Sequence, residues 1–377
     1  MKKIFVFVIL LLFLVNSCVN QEKPNFMFEN VPLIINIDSV EADTLKVNCL
    51  KYIPLETSDE CIIGNYSKEL IRNQKIYVAD FHMAMAIFVF DMNGKFIFKI
   101  SERGQGPNEY VSIKDFDIDS NGEIYIYDSH GKKFVVFSSE GKFVRKIPID
   151  YFFSSFCLMN NKMYWSKLYQ SGIMIANLAV YDVVDNKTDF LMNEEKELHP
   201  TNLLNNRSYD FFYSPDSIVY FSPKFSELIY SIDNEGVHPA IGLKNLKIPP
   251  KEMIEDWSKT RDVFESIRLM DESGYFIESV DVFETDQYVT FSPIRHVFTD
   301  ILLYNKMSAS ICKIDGFNIT KTIGINSISG STGRDFFGVI TYKLENEFQK
   351  RIIASRKELE NWNEEDNAVI AIFNFDN

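Results

Sequence analysis

Five histidines, five cysteines and two glycine-rich stretches are the parts of this 377-residue chain whose types suit chemistry. The histidines stand at 82, 130, 199, 238 and 296. None forms an H-x-H or H-E-x-x-H pair, the spacings that turn two imidazoles toward one zinc ion, so no metal or cofactor is expected. A fold that gathers ligands from separate segments needs no such spacing. His82 and His130 are then the pair to follow, because each stands two residues beyond a strand-like run, IYVAD and IYIYD. Exposed loop histidines explain them more simply. Gly104-x-Gly106 precedes a strand instead of a helix, so the helix N-terminus that a dinucleotide phosphate needs is missing. Gly330-Ser331-Thr332-Gly333 is not a G-x-S-x-G elbow. Both read as turns, and no catalytic residues are assigned.

One cluster suits binding. Arg103, Gln105, Asn108, Glu109 and Tyr110 put polar and aromatic groups on a single loop, which fits a sugar or a peptide. The competing reading makes Arg103 and Glu109 an ion pair that only fixes the turn.

The segments around that loop decide the architecture. It leads into four short strands, over 113–119, 123–128, 134–138 and 142–147. Asn121-Gly122 and Glu140-Gly141 join them in pairs, at positions where a tight hairpin needs positive φ. The same pattern comes just before: residues 76–80 and 87–91 lead through Met92-Asn93-Gly94 into 95–100. Tyr77 and Tyr125 are 48 residues apart, and Gly94 and Gly141 are 47 apart. Four-stranded units at this period indicate a β-propeller. Weaker echoes follow near 163–184, 217–236, 288–314 and 336–375. Residues 45–375 divide into six units of about 55 or seven of about 47. The echoes number six, and two helical insertions, from Pro249-Pro250 and over 345–363, lengthen the later units. Runs such as IYIYD and FVVF are apolar on both faces, as in sheets covered on both sides. The isolated strand 45–55 is expected to pair with 368–375 and close the ring, covering two sheet edges.

Composition excludes some functions. With a formal charge of −14 and no basic stripe, the chain would repel nucleic acid. The 33 Phe and 18 Tyr suit strands buried on both faces. Lys2-Lys3 followed by an unbroken apolar run over 4–15 reads as a signal peptide, too short to span a bilayer. The run ends in Leu14-Val15-Asn16-Ser17-Cys18, which resembles a bacterial lipobox with Cys18 as the lipid-attachment site. The expected division is a signal peptide over 1–17, a lipid-anchored tether over 18–44 and a propeller over 45–377. Cys49, Cys61, Cys157 and Cys312 remain; four thiols allow three disulfide pairings or none.

Tyr52-Ile53-Pro54-Leu55-Glu56-Thr57, the loop from Gly104 to Tyr110, the D-x-x-G-K turns and Asn367-Ala368-Val369-Ile370 together resemble the six-bladed β-propeller lipoproteins of Gram-negative gut bacteria. These are distant relatives of the NHL-repeat propellers. Two positions depart from that pattern: Asn108 stands where Gly is usual, and Ala368 where Pro is frequent. The resemblance implies six blades and a lipid anchor. Val19 after the cysteine favours the outer membrane, on either its periplasmic or its surface side. The expected function is a non-catalytic propeller that binds a partner protein, peptide or glycan at a channel mouth. The alternative is an envelope lyase or hydrolase with its site in the central channel.

Overall fold

The computed structural model describes residues 28–42, 46–171, 173–193, 210–214, 218–259, 268–269, 272–276, 278–294, 301–314, 316–325, 327–341 and 347–376. The run read as a signal peptide, Cys18, His199 and His296 lie outside the described residues. Six sheets, each built on four antiparallel strands, follow one another along the chain and form a six-bladed β-propeller; in five of them the four strands are consecutive in sequence. Blade I holds Lys68–Arg72, Lys75–Asp80, Ala86–Asp91 and Phe96–Ile100. Blade II holds Asp115–Ile118, Ile124–Asp128, Lys133–Phe137 and Phe143–Pro148. Blades III, IV and V open with Ser155–Met159, Phe211–Tyr213 and Glu278–Glu284. The first strands of successive blades touch, so they are the inner wall of the ring.

Blade VI closes the circle. Ile328–Ser331, Phe336–Ile340 and Val369–Asp376 are completed by Lys46–Pro54 from the N-terminal side, with Tyr52 opposite Ala371 and Val47 opposite Phe375. The expected closure by residues 45–55 is therefore present. The chain before it also docks on the ring. Leu33–Asn36 adds a fifth, parallel strand to blade IV, and Glu41–Ala42 adds one to blade V. Part of the stretch read as a tether thus runs along the outer rim of two blades before sealing the third. It covers edges that would otherwise expose unpaired backbone groups.

Aromatic residues fill the layers between blades. Tyr127, Phe153, Trp165 and Tyr181 stack between blades II and III, with ring centroids 3.9, 5.0 and 5.2 Å apart in succession. In Ile124–Asp128 every residue is buried, because both faces of the blade meet neighbours. The four described cysteines form no disulfide.

Among the described residues three helices of eight or nine residues interrupt the repeat. Helix α1 (Lys251–Lys259) follows the two prolines, and α3 (Glu347–Ser355) is the second expected insertion, ending sooner than the periodicity predicts. Helix α2 (Gly316–Ile323) was not expected. It buries Ile319 and Ile323 and ends at Gly324, whose φ of +86° is the left-handed conformation that stops a helix. Among the described residues no helix is long and apolar enough to cross a membrane.

Candidate functional site

The inner strands carry charge, and nearly all of it is spent on holding blades together. Lys68, at the start of the blade I inner strand, places its Nζ 2.7 Å from Asp115 Oδ1 at the same position of blade II. It also donates to the Phe116 carbonyl at 2.8 Å. Asp115 Oδ2 accepts from the Phe156 N–H of blade III at 2.9 Å, and Asp117 Oδ2 accepts from the Leu158 N–H at 2.7 Å. Ser155 Oγ in turn accepts from the Asp210 N–H at the entry to blade IV. Burial pushes the Asp115 carboxyl above its usual range, against the pull of Lys68 and two backbone N–H donors. Beside Lys68, Arg72, Phe211 and Tyr213 the inner strands leave a cavity of about 30 Å³, room for one water. The Tyr213 hydroxyl, on a residue that lines this cavity, and Asp117 Oδ1 are buried without a hydrogen-bond partner among the described residues.

The predicted binding loop lies between blades I and II, on the face where the linkers between blades run. Its five residues share one loop but not one role. Arg103, Gln105 and Asn108 are exposed, Glu109 is half-buried and Tyr110 is buried. Glu109 does not pair with Arg103. Its Oε2 accepts from the Gly106 N–H at 2.7 Å, and a Cβ on Gly104 or Gly106 would strike that carboxylate. The glycines are needed for the close approach, so the expected ion pair is replaced by a side-chain cap on the turn. The Tyr110 hydroxyl donates to the Met85 carbonyl at 2.7 Å and lies 3.2 Å from the Ile100 carbonyl. Its burial raises its pKa. Tyr110 is a bolt between blades, unavailable to a ligand.

Two aspartates perform the matching task at the ends of the IYVAD and IYIYD strands. Asp80 accepts from the N–H groups of Gly64, Asn65, His82 and Met83, and Asp128 from those of Val111, Ser112 and Gly131. Each ties the linker entering its blade to the turn at its own strand end. His82 and His130 are exposed beside them, with His130 Nδ1 3.0 Å from Ser112 Oγ. No group of three or more His, Cys, Asp or Glu among the described residues is placed to hold a metal ion.

The opposite face, built from tight hairpin turns, has an open cleft of about 360 Å³ between blades III and IV. Turns 160–161, 183–186 and 233–236 surround it, and sequence spacing alone did not reveal it. Asp182 Oδ1 caps its turn by accepting from the Val184 and Asp185 N–H groups at 2.9 and 3.1 Å. Asp233 Oδ1 does the same for Glu235 and Gly236 at 2.8 and 3.2 Å. Across the cleft the Asn160 amide donates to Asn234 Oδ1 at 2.8 Å and links the two blades. Tyr164 lines the cleft while only 3% exposed. Burial, with the charges of Cys157 and Asp233, pushes its pKa up to about 12, so it stays a protonated donor. The readable signal was the recurring Asp at the start of these turns. Which turns face one another is a property of the ring.

Similar structures share this architecture. An 18%-identical protein of Bacteroides fragilis, described as exported, superposes with a TM-score of 0.71, covering 92% of this chain and 99% of its own. A member of the DUF4221 family from Bacteroides vulgatus gives 0.55 at 11% identity, over 88% and 99% of the two chains. A catalytically inactive virginiamycin B lyase from Staphylococcus aureus, with quinupristin, gives 0.41 at 14% identity over 76% and 81%. At these identities the likeness is one of fold. No curated protein sequence matches the chain. The family model described as a domain of unknown function, DUF4934, matches residues 34–374, essentially the whole described ring from its rim strand to its closing strand, and the chain belongs to that family.

Proposed function

We propose that this chain is a non-catalytic recognition module of the cell envelope, held at the outer membrane by a lipid on Cys18, that binds a partner protein, peptide or glycan on one face of its ring. The observation that carries the reading is the contrast between the two concave features. The cavity among the inner strands beside Lys68 and Tyr213 has room for little more than a water, whereas the cleft between blades III and IV is open and of ligand size. Rigid turns bring its polar groups together, the arrangement by which a scaffold presents loops for binding. The lipobox-like run and the exported description of the Bacteroides fragilis protein support the envelope address.

Two measurements test this reading. Cys18→Ala is expected to move the protein out of the membrane fraction; retention there would contradict the anchor. Any ligand captured by the purified protein is expected to be recovered with unchanged mass after prolonged incubation. Its conversion to product would establish the rival, an enzyme.

A further inference from the structure

Resting on that recognition reading, we infer that the cleft between blades III and IV takes an organic cation, a ligand carrying one or more protonated amines. Four carboxylates line it, those of Asp182, Asp185, Asp233 and Glu235, against the single ammonium of Lys162. Asp182, Asp185 and Glu235 have no ion-pair partner among the described residues, and Asp233 meets only the exposed His238, at 3.7 Å. An excess of negative charge around a concave, low-dielectric wall draws cations and repels anions.

A second observation is independent of this charge. The Tyr164 side chain is more than nine-tenths buried, lines the cleft and engages no hydrogen bond among the described residues. Its hydroxyl reaches the cleft and stands there as a donor open to a ligand.

The shape narrows the class. No three of the acidic groups are placed to share a metal ion, so the charge is spread around a volume suited to a ligand several atoms long. A neutral glycan is disfavoured, because covering these carboxylates without a counter-charge leaves them desolvated and unpaired. Tyr164 also offers too little exposed ring for a sugar to stack on. Asp182 and Asp233 are already fixed by the N–H groups of their own turns, which lowers the ordering cost of binding. Lysine side chains of an extended peptide and free polyamines share this chemistry.

Calorimetric titration of the full mature protein tests the inference. The probes are spermidine, a capped Gly-Lys-Lys-Gly peptide, its Gly-Gln-Gln-Gly counterpart and a neutral maltotetraose. The two amine probes are expected to bind, more weakly as salt is added, and the two neutral ones not. Asp185→Asn combined with Glu235→Gln is expected to weaken amine binding about tenfold or more. Both residues are exposed and neither side chain caps a turn, so the melting temperature should stay unchanged. Tyr164→Phe, which keeps the ring, should weaken it by a smaller factor. The peptide binding more tightly assigns the amine to a protein partner, and spermidine more tightly to a free polyamine. Equal amine binding by wild type and the double variant, or maltotetraose bound in the cleft in place of amines, overturns the cation assignment and leaves recognition standing. Binding by none of the four probes overturns the cation assignment as well, whereas the recognition reading falls only if a captured ligand is converted.

Discussion

Lys68 and Asp115 occupy the same position in the inner strands of adjacent blades, 47 residues apart in sequence, and their side chains meet at 2.7 Å with almost no exposure of either. This buried charge pair joins blade I to blade II. Removing one partner leaves a buried charge without compensation. Lys68→Met is therefore expected to cost about 3–5 kcal/mol. Combining it with Asp115→Asn, which removes the charge and keeps an acceptor for one of the two N–H groups, of Phe116 and Phe156, that the carboxylate receives, should recover part of that loss. Urea unfolding of the three variants checks both statements.

Asp128 gathers three backbone N–H groups from two segments and is fully buried. Asp128→Ala leaves those donors unsatisfied and should lower stability by about 2–4 kcal/mol. Asp91 also accepts two backbone N–H groups, but on an exposed turn where water can replace it. Asp91→Ala should cost less. Equal losses in the two variants, measured by thermal unfolding, would contradict the staple assigned to Asp128.

Glu284 links blades IV and V and titrates with a definite sign. Burial alone would raise its pKa. Hydrogen bonds from Lys306 at 2.7 Å, Tyr220 at 2.7 Å and Ser214 at 2.8 Å outweigh burial and hold the carboxyl below its usual range. A carboxyl with a lowered folded-state pKa contributes stability above its unfolded pKa, about 4.3, and loses it as pH falls through the folded value. Stability measured from pH 6 to pH 3 should fall less steeply in Glu284→Gln than in wild type. Parallel curves would show that Glu284 carries no such linkage.

The ring was legible where both faces of a blade are apolar and the repeat is undisturbed. The 48-residue spacing from Tyr77 to Tyr125 corresponds to blades I and II, and the closing pair of 46–54 with 369–376 followed from one unpaired strand signal. Lys68–Arg72 was not read as a strand, because the ends of KELIR are charged. Those charges face the next blade, and a pattern that scores polar residues as exposed misreads an inner wall held by buried ion pairs. Helix α2 is too short for its periodicity to stand out beside the strands around it. The loop at 103–110 was located correctly as a joint between blades, but its interactions were not: Glu109 folds back onto Gly106, and Tyr110 turns into the core. The cleft lay beyond sequence reasoning. Tyr164 and Asp182 lie on one hairpin of blade III, and only the stacking of blade III on blade IV brings Asp233 beside them.

The central claim is that recognition takes place on the turn face between blades III and IV while the channel stays closed. Amide hydrogen exchange of the full chain, with and without the tightest-binding probe of the amine series, tests it directly. The account predicts slowed exchange at 160–161, 183–186 and 234–236, and none at 68–72 or 115–118. Protection centred on those inner strands, with the cleft turns unchanged, would place the ligand in the channel and contradict it.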